Sequence, residues 1–314
     1  MNVELSAEAR TFGELARKAI ESAGGDELLR RAEQHPEQRE RIVAPVLTEL
    51  GAWDLDPRAD FEELEAAAAL CRSSGHFALP YPVAERLCRP ADLPVDGMVV
   101  VGASAPAAAV GGLDLRWAAV TLEGRRSRVL RIGPSRPART SAFVVDLELE
   151  DLEEAGARDL ALGLVLPGWT LLGMLDRAVD LTRAYVLERR QFGQPLSAFQ
   201  GVQFQLADAE VERAGAEELG KYALWSAGSS QPDAVADALA FRLVVLEAAD
   251  VVFRVAHQLH GAIGFCDETA LSWLSRYSAP LRRLPVGVSG TLAALQHNIG
   301  RRGLRGLFTE GCLR

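Results

Sequence analysis

The 314-residue sequence lacks the motifs that assign a chain to several common classes. Its four cysteines show no Cys-x-x-Cys spacing, which favours reduced thiols in a cytoplasm over a disulfide framework. The five histidines are scattered, and His257 and His260 have no nearby set of acidic or thiol partners, so a metal site is not supported. No Gly-x-Gly-x-x-Gly follows a predicted strand. A Rossmann nucleotide site is therefore not expected.

Positive charge and long apolar runs are also scarce. The net charge is −9 at pH 7, and Lys18 and Lys221 are the only lysines among 34 basic residues. A nucleic-acid binder would need a basic face, so that class is disfavoured. No run approaches the ~18 apolar residues of a membrane span, and the acidic, polar N-terminus does not resemble a secretory signal. With 48% hydrophobic and 25% charged residues, the chain is expected to be a globular protein of the cytoplasm.

The pattern of apolar residues divides the chain into three parts. Residues 1–92 are predicted to form an N-terminal helical domain, and residues 93–150 a reduced β-domain with Ala103–Gly112 as a surface loop. Four short β-branched runs predict its strands: Met98–Val101, Arg116–Thr121, Ser127–Ile132 and Ser141–Leu147. Residues 151–314 are predicted to form a C-terminal helical bundle, with a loop from Pro280 to Thr291 before its last helix. The fold class is mainly α with a small β insert.

A tight corner between two predicted helices carries the first candidate site. Helical periodicity runs up to Tyr185 and resumes at Phe199, and Gly193 and Pro195 between them are turn residues. The corner contains Arg189, Arg190, Gln191 and Phe192. A guanidinium beside an aromatic ring at a helix end can pair with an anion while a flat ring stacks nearby. The alternative is a solvated arginine pair followed by an ordinary Phe-Gly cap.

A second corner follows about seventy residues later, in the stretch from Gln258 to Phe265. Gln258 lies in the last turn of a long predicted helix, with Gly261 and Gly264 beyond it. Glycine permits left-handed torsion angles and close approach of a ligand to the backbone. Taken by itself, the segment can equally be a helix C-cap without a ligand.

Together the two corners resemble the acyl-CoA dehydrogenase family, whose helical C-terminal domain carries Arg-x-x-Phe-Gly and Gln-x-x-Gly-Gly-x-Gly. The resemblance extends over nearly the whole chain and includes Gly75 and Pro80 as a Gly-x-x-Pro-like turn. It implies an FAD-dependent oxidoreductase with a helical domain, a β-domain and a four-helix domain.

The resemblance also implies roles for particular residues. Arg189 would meet the FAD pyrophosphate, with Gln191 and Phe192 beside it, and a bidentate guanidinium suits a diphosphate. Gln258 and the backbone at Gly261 and Ala262 would contact the adenosine end; these six positions are the predicted cofactor-binding residues. In the family these contacts reach the FAD of a neighbouring subunit, so the motifs also imply oligomerisation.

The chain departs from the family at the catalytic base. The reaction removes a proton from the carbon α to a thioester, which requires a carboxylate within hydrogen-bond reach. The position of the usual glutamate holds Ser289, whose hydroxyl is not basic near neutral pH without an activating base. The alternative glutamate position, on the helix before the first corner, falls near Gly163. No catalytic residue is therefore predicted in this chain.

The predicted β-domain is also shorter than the family's barrel-like sheet. Arg116-Trp117-Ala118 is a poor match to the Trp-(Ile/Val)-Thr segment that packs against the flavin ring. We therefore expect that the chain cannot hold the isoalloxazine by itself. It resembles the shortened, base-lacking subunit of the heteromeric acyl-CoA dehydrogenases of actinobacterial steroid degradation. That resemblance implies an α2β2 complex with a homologous catalytic subunit, acting on a bulky acyl-CoA such as a steroid side-chain thioester.

Two other readings remain open. The chain could form a homo-oligomeric flavoenzyme whose base has moved to another acidic residue; the candidates are Glu188, Asp208, Glu247, Asp250 and Glu268. Each of these positions is equally explained as a helix surface pair or cap. The chain could also be an assembly or binding protein that keeps the fold without flavin.

Overall fold

The N-terminal region is built from helices, as predicted. The computed structural model describes residues 4–135 and 143–300. Side-chain caps start two of the helices: Ser6 accepts a hydrogen bond from the amide of Ala9 at 3.2 Å, and Asp60 accepts one from Glu63 at 2.9 Å. The helices of this region are α1 (Ala7–Ser22), α2 (Asp26–Gln34), α3 (Arg39–Glu49), α4 (Phe61–His76) and α5 (Val83–Leu87).

The middle region is a five-stranded sheet. Its strands are β1 (Gly97–Val101), β2 (Ala107–Ala108), β3 (Trp117–Thr121), β4 (Arg125–Ser135) and β5 (Val145–Ala155). Their order is β1-β3-β4-β5-β2. β1 and β3 pair in parallel, and the other pairs are antiparallel. The long β4–β5 ladder carries alternating charged side chains on its exposed face.

Two predictions for this region need correction. Ala103–Gly112 is not simply a surface loop, because Ala107 and Ala108 pair with β5 and are buried with Val110. Small apolar residues look like loop residues in the sequence, but here two of them form the short strand β2 of the sheet. The fourth strand begins at Val145 rather than Ser141 and continues to Ala155. Ser141 itself lies outside the described residues.

The C-terminal region is a bundle of three long helices and one shorter helix. Its elements are α6 (Ala157–Glu188), β6 (Arg190–Gln191), β7 (Gln194–Pro195), α7 (Gln200–Gly228), α8 (Ala234–His260), α9 (Ala270–Tyr277), α10 (Ala279–Arg283) and α11 (Val288–Ile299). α6, α7 and α8 pack against one another, and α11 packs against α8. The loop predicted from Pro280 to Thr291 is wrong at both ends: α10 covers its start, and α11 begins before its end, at Val288.

Helix α6 is the centre of the molecule. It packs against α4 and α5 on one side and against α7 and α8 on the other. It is long and apolar enough to pass a composition test for a membrane span, but 83% of that apolar window is buried inside the protein. Its apolar character is thus explained by its position in the core. Helix α4 approaches so closely that a Cβ at Gly75 would lie 1.9 Å from the carbonyl oxygen of Thr170.

Candidate cofactor-contact site

The end of α6, which leads into the first corner, lies against the second corner. Tyr185, in the last turn of α6, stacks on His260, the last residue of α8, with ring centroids 4.4 Å apart and planes 17° apart. His260 is buried, and its Nδ1 lies 2.8 Å from the carbonyl oxygen of Ala256, one turn earlier. Burial lowers the pKa of His260, so the ring is neutral near pH 7. A flat, uncharged contact therefore joins the ends of the two helices.

The first corner is a small hairpin that projects from the bundle. Arg189 leaves the helical conformation at the end of α6, and its carbonyl accepts a hydrogen bond from the amide of Leu196 at 2.8 Å. Phe192 has a φ of 53°, which is uncommon for a residue with a side chain, and Gly193 follows with a φ of 85°. Phe192 is 91% exposed, and its ring is edge-on to that of Phe199, with ring centroids 6.2 Å apart. Within the described part of the chain, this aromatic side chain is thus almost fully exposed.

The second corner turns sharply at Gly261, whose φ is 64°. A short 3-10 turn, Gly261–Phe265, follows directly. His257 stacks on Phe265 with centroids 4.2 Å apart, which ties the turn back onto α8. Gln258, Gly261 and Ala262 are exposed, so their polar groups face outward.

The geometry suits a ligand held outside this chain. Arg189, Gln191 and Gln258 are all exposed. Among the described residues no side-chain hydrogen bond or ion pair engages the Arg189 guanidinium. A Cβ at Gly193 or Gly261 would meet nothing within 4 Å, so the backbone at both turns is open to a neighbouring molecule. A guanidinium can donate two parallel hydrogen bonds to phosphate oxygens, and amide side chains and exposed backbone N–H groups can donate others. Together these groups suit the binding of a dinucleotide. These residues fit FAD, but only as contacts made from one side; their role stays a prediction.

Neither of the two expected positions of the catalytic glutamate provides a base in this chain. Gly163 is buried within α6, and a Cβ there would lie 2.6 Å from Cγ2 of Val100. Ser289 is exposed in the first turn of α11. Trp117, from the poor match to the flavin-packing segment, is the first residue of β3 and is only 1% exposed. Its ring belongs to the core of this chain.

Gly163 borders an internal cavity of about 120 Å³. The cavity lies where the N-terminal helices, the sheet and α6 meet, and it is lined by Ala78–Glu85, Val99, Val100, Leu164 and Met174 among others. A cavity of roughly 150 Å³ holds one benzene molecule. This cavity by itself is therefore too small for a flavin ring together with an acyl-CoA thioester.

Glu85 is a cavity residue that the sequence did not single out. It follows two prolines on the short helix α5, where nothing in its spacing suggests a site. Burial raises the pKa of its carboxyl, and the charge of Arg39 partly opposes that shift. The five acidic residues proposed in the sequence as relocated bases are instead all exposed, and Asp250 pairs with Arg282 at 2.9 Å. None of the five lines the cavity.

Comparison with known proteins bears on these observations. Residues 159–302 match the family model described as "Acyl-CoA dehydrogenase, C-terminal domain", and this match spans both corners. Over 95% of its length the chain resembles a subunit of the ChsE4-ChsE5 complex from Mycobacterium tuberculosis, with a TM-score of 0.76 and 15% identity, covering 99% of that chain. The protein has the acyl-CoA dehydrogenase fold. The predicted fold class, with its small middle β region, is confirmed.

Two further matches agree with this fold. The chain resembles the Tcur3481-Tcur3483 steroid ACAD over 95% of its length and 99% of that chain, with a TM-score of 0.78 and 18% identity. It is 31% identical to 3-sulfinopropanoyl-CoA desulfinase of Paraburkholderia xenovorans over 196 residues, which are 59% of this chain and 46% of that enzyme. The aligned segments span less than half the length of the first curated relatives. These findings show the acyl-CoA dehydrogenase fold over nearly the whole chain and sequence similarity to that family's C-terminal domain.

Proposed function

We propose that this chain is the base-lacking subunit of a heteromeric, FAD-dependent acyl-CoA dehydrogenase of the cytoplasm. In this proposal a homologous partner supplies the catalytic glutamate and the flavin cradle in an α2β2 complex. The proposal is based on a contrast between the two corners and the expected positions of the catalytic base in this chain. The two cofactor-contact corners are intact, joined and exposed, while Gly163 and Ser289 provide no carboxylate and the internal cavity is about 120 Å³.

The residues at the corners would act on a cofactor bound mainly by the partner. Arg189 would donate charge-assisted hydrogen bonds to the pyrophosphate oxygens. Gln258 and the backbone amides of Gly261 and Ala262 would hold the adenosine end, with Gln191 and Phe192 shielding the diphosphate from solvent. The bound FAD supplies a hydride acceptor for the β-carbon of an acyl-CoA. The proton from the α-carbon would go to a carboxylate of the partner.

The surface around the corners supports an association of this kind. Large apolar side chains that are 45–91% exposed occur at the two corners and along the start of α7: Leu187, Phe192, Phe204, Val211, Ile263 and Phe265. Exposed apolar side chains grouped on one face are typical of protein–protein interfaces. An interface over this face would place the corners at the boundary between two subunits.

The titles of two structural neighbours guide the substrate proposal. One neighbour belongs to the ChsE4-ChsE5 complex, and another is described as a steroid ACAD built from Tcur3481 and Tcur3483. Both have paired names, which favours a two-component assembly for this chain as well. We therefore propose a bulky acyl-CoA, such as a steroid side-chain thioester, as the substrate of the complex.

Co-expression tests the proposal. The chain would be purified alone and together with the homologous subunit encoded beside it, and each preparation would be assayed for the visible flavin spectrum and for acyl-CoA oxidation. We expect a colourless, inactive protein from the chain alone and a yellow, active complex from the pair. A yellow and active protein obtained from this chain alone would contradict the proposal.

Glu85 gives a specific reason to keep the homo-oligomeric alternative. A half-buried carboxyl with a raised pKa, lining a cavity beside Gly163, is the kind of group that can serve as a base. The substitution Glu85→Gln distinguishes the homo-oligomeric enzyme from the heteromeric complex. In a homo-oligomeric enzyme the substitution abolishes turnover, whereas in the heteromeric complex it leaves turnover near that of the unmodified pair.

The flavin-free alternative is tested by Arg189→Ala in the same complex. Loss of the guanidinium should release FAD during gel filtration if Arg189 contacts the pyrophosphate. As a matched control, Arg190→Ala removes the neighbouring arginine, whose side chain donates a hydrogen bond to the carbonyl of Gly193 at 3.3 Å. Equal FAD retention in both variants would favour an assembly protein that uses no flavin.

A further inference from the structure

Two buried arginines line the internal cavity. Arg39, the first residue of α3, is 1% exposed, and Arg242, in α8, is 5% exposed. Arg39 donates hydrogen bonds to the carbonyl oxygens of Pro80, Gly111 and Ala109. Arg242 donates to those of Leu281, Leu284 and Val286. Within residues 4–135 and 143–300, neither guanidinium forms an ion pair with a carboxylate. Buried charges in proteins are generally paired, so two such cations around one cavity require an explanation.

Glu85 lines the same cavity but forms no ion pair with either guanidinium among the described residues. Burial raises the pKa of its carboxyl, and the charge of Arg39 partly opposes that shift. Burial also lowers the pKa of Arg39 to about 9 and that of Arg242 to about 10. Both arginines nevertheless remain protonated near pH 7. The two guanidinium groups therefore place positive charge at the wall of the cavity.

Hydrogen-bond donors remain available in this space. A guanidinium has five N–H groups, and Arg39 uses three of them on backbone carbonyls. The Nε of Arg242 and the hydroxyl of Ser74 are buried and have no hydrogen-bond partner among the residues that the structure describes. Ser74 is only 2% exposed, and both residues line the cavity. An unpaired buried donor costs free energy that an acceptor placed in the cavity would recover.

The size and lining of the cavity limit what that acceptor can be. A volume of about 120 Å³ corresponds to about five non-hydrogen atoms, given that a roughly 150 Å³ cavity holds benzene. Apolar side chains of Val100, Leu164 and Met174 line part of the wall. The other lining groups are cationic and donor-rich. A chloride ion would leave the apolar part unfilled, and a neutral hydrocarbon would leave the arginines unpaired.

We propose that this cavity is a binding site for a short-chain monocarboxylate anion of the size of propionate. The carboxylate accepts hydrogen bonds from the buried guanidinium groups, and the alkyl tail packs against α6. The ring of Phe143 lies 3.8 Å beneath the Arg39 guanidinium and keeps it in place. The site is independent of the exposed corners, so it does not rest on the proposed subunit role.

Calorimetric titration of the full chain in a carboxylate-free, low-chloride buffer tests the proposal. We expect saturable binding of one propionate per chain and binding of propionamide, its neutral isostere, weaker by about tenfold or more, since hydrogen bonds to charged groups are the stronger ones. Chloride should also bind more weakly. Absence of saturable propionate binding, or equal binding of propionamide or chloride, would overturn the proposal.

Two variants locate the bound anion. Arg242→Gln should weaken propionate binding by about tenfold or more, whereas Arg254→Gln, an exposed arginine on the same helix, should leave it unchanged. Met174→Ala keeps both cations and enlarges the cavity, so it should shift the preference from propionate toward butyrate and valerate. If Arg242→Gln does not fold, Met174→Ala still tests whether the anion binds in this cavity. An unchanged chain-length preference in Met174→Ala would place the anion elsewhere.

Discussion

Gly173 in α6 lies directly against the carbonyl oxygen of Arg72 in α4. A Cβ at Gly173 would be 1.9 Å from that oxygen and 3.0 Å from the amide nitrogen of His76. The contact is between two backbones, so no side chain can rotate away to relieve it. Gly173→Ala should therefore destabilise the fold by about 3 kcal/mol or more, because the two helices must separate. Urea unfolding followed by circular dichroism measures the loss.

Gly215 provides the matched control for that substitution. It also lies inside a helix, α7, but a Cβ there would meet nothing within 4 Å. Gly215→Ala should leave the fold intact and stabilise it by about 0.5–1 kcal/mol through helix propensity. If both alanine variants unfold at the same urea concentration, the close approach of α4 and α6 is not what the structure indicates.

The Tyr185–His260 stack should matter for the cofactor more than for the fold. Tyr185→Leu keeps apolar volume but removes the ring contact, at a cost of about 0.5–1.5 kcal/mol. Since the stack joins the two corners, we expect the complex with the catalytic subunit to lose FAD more readily. The comparison is Tyr222→Leu, which removes a ring contact to Trp225 within α7, away from both corners. Similar FAD loss in both variants, measured by fluorescence of released flavin, would argue against the coupling of the corners.

Restoring a carboxylate at position 163 should not restore catalysis. Gly163 faces Val100 at a distance that excludes even a methyl group, so Gly163→Glu is expected to destabilise the chain without producing turnover. Gly163→Ala should cost about 1–3 kcal/mol. Val100→Ala should recover part of that loss, because it removes the atom that the new Cβ would strike. A double-mutant cycle of unfolding free energies measures this coupling, and additive effects would show that the two sites do not touch.

The sequence predicted the secondary-structure elements and the two corners better than it predicted the tertiary contacts near them. Apolar periodicity identified the long helices, and Gly193, Pro195 and Gly261 identified the turns, because these signals are local. That Tyr185 meets His260 is a tertiary contact over 75 positions, and no local pattern encodes it. Glu85 was missed for the same reason, since its burial depends on the sheet and α6 closing over a short helix.

The start of α11 shows a different kind of failure. The helix begins at Val288 after Gly287 and lacks a side-chain cap, so the usual start signal is absent. Ser289 was consequently expected in a loop, where a catalytic glutamate could project. It lies instead in the first helical turn. Packing against α8 supplies the stability that a capping residue would otherwise provide.

His76 should make the fold sensitive to mild acid. It is buried beside Arg17 and Arg177, with Asp176 as the opposing charge; burial, reinforced by the two arginines, lowers its pKa to about 3. In the unfolded chain the pKa of a histidine is about 6.5. As the pH falls below 6.5, His76 becomes protonated in the unfolded chain but stays neutral in the folded chain. Stability is therefore complete above pH 6.5 and declines as the pH falls toward 3.

The size of this loss can be checked against a variant. At pH 5 the His76 contribution amounts to about 2 kcal/mol relative to pH 7. Glu217, whose pKa is lowered to about 2, loses its contribution mainly below pH 4.5 and so contributes little to the change between pH 7 and pH 5. His76→Gln should flatten the decline in unfolding free energy over that interval, although His257 and His260, whose pKa values are also lowered, leave a residual slope. Parallel stability curves for the variant and the parent protein would show that His76 is accessible to protons in the folded state.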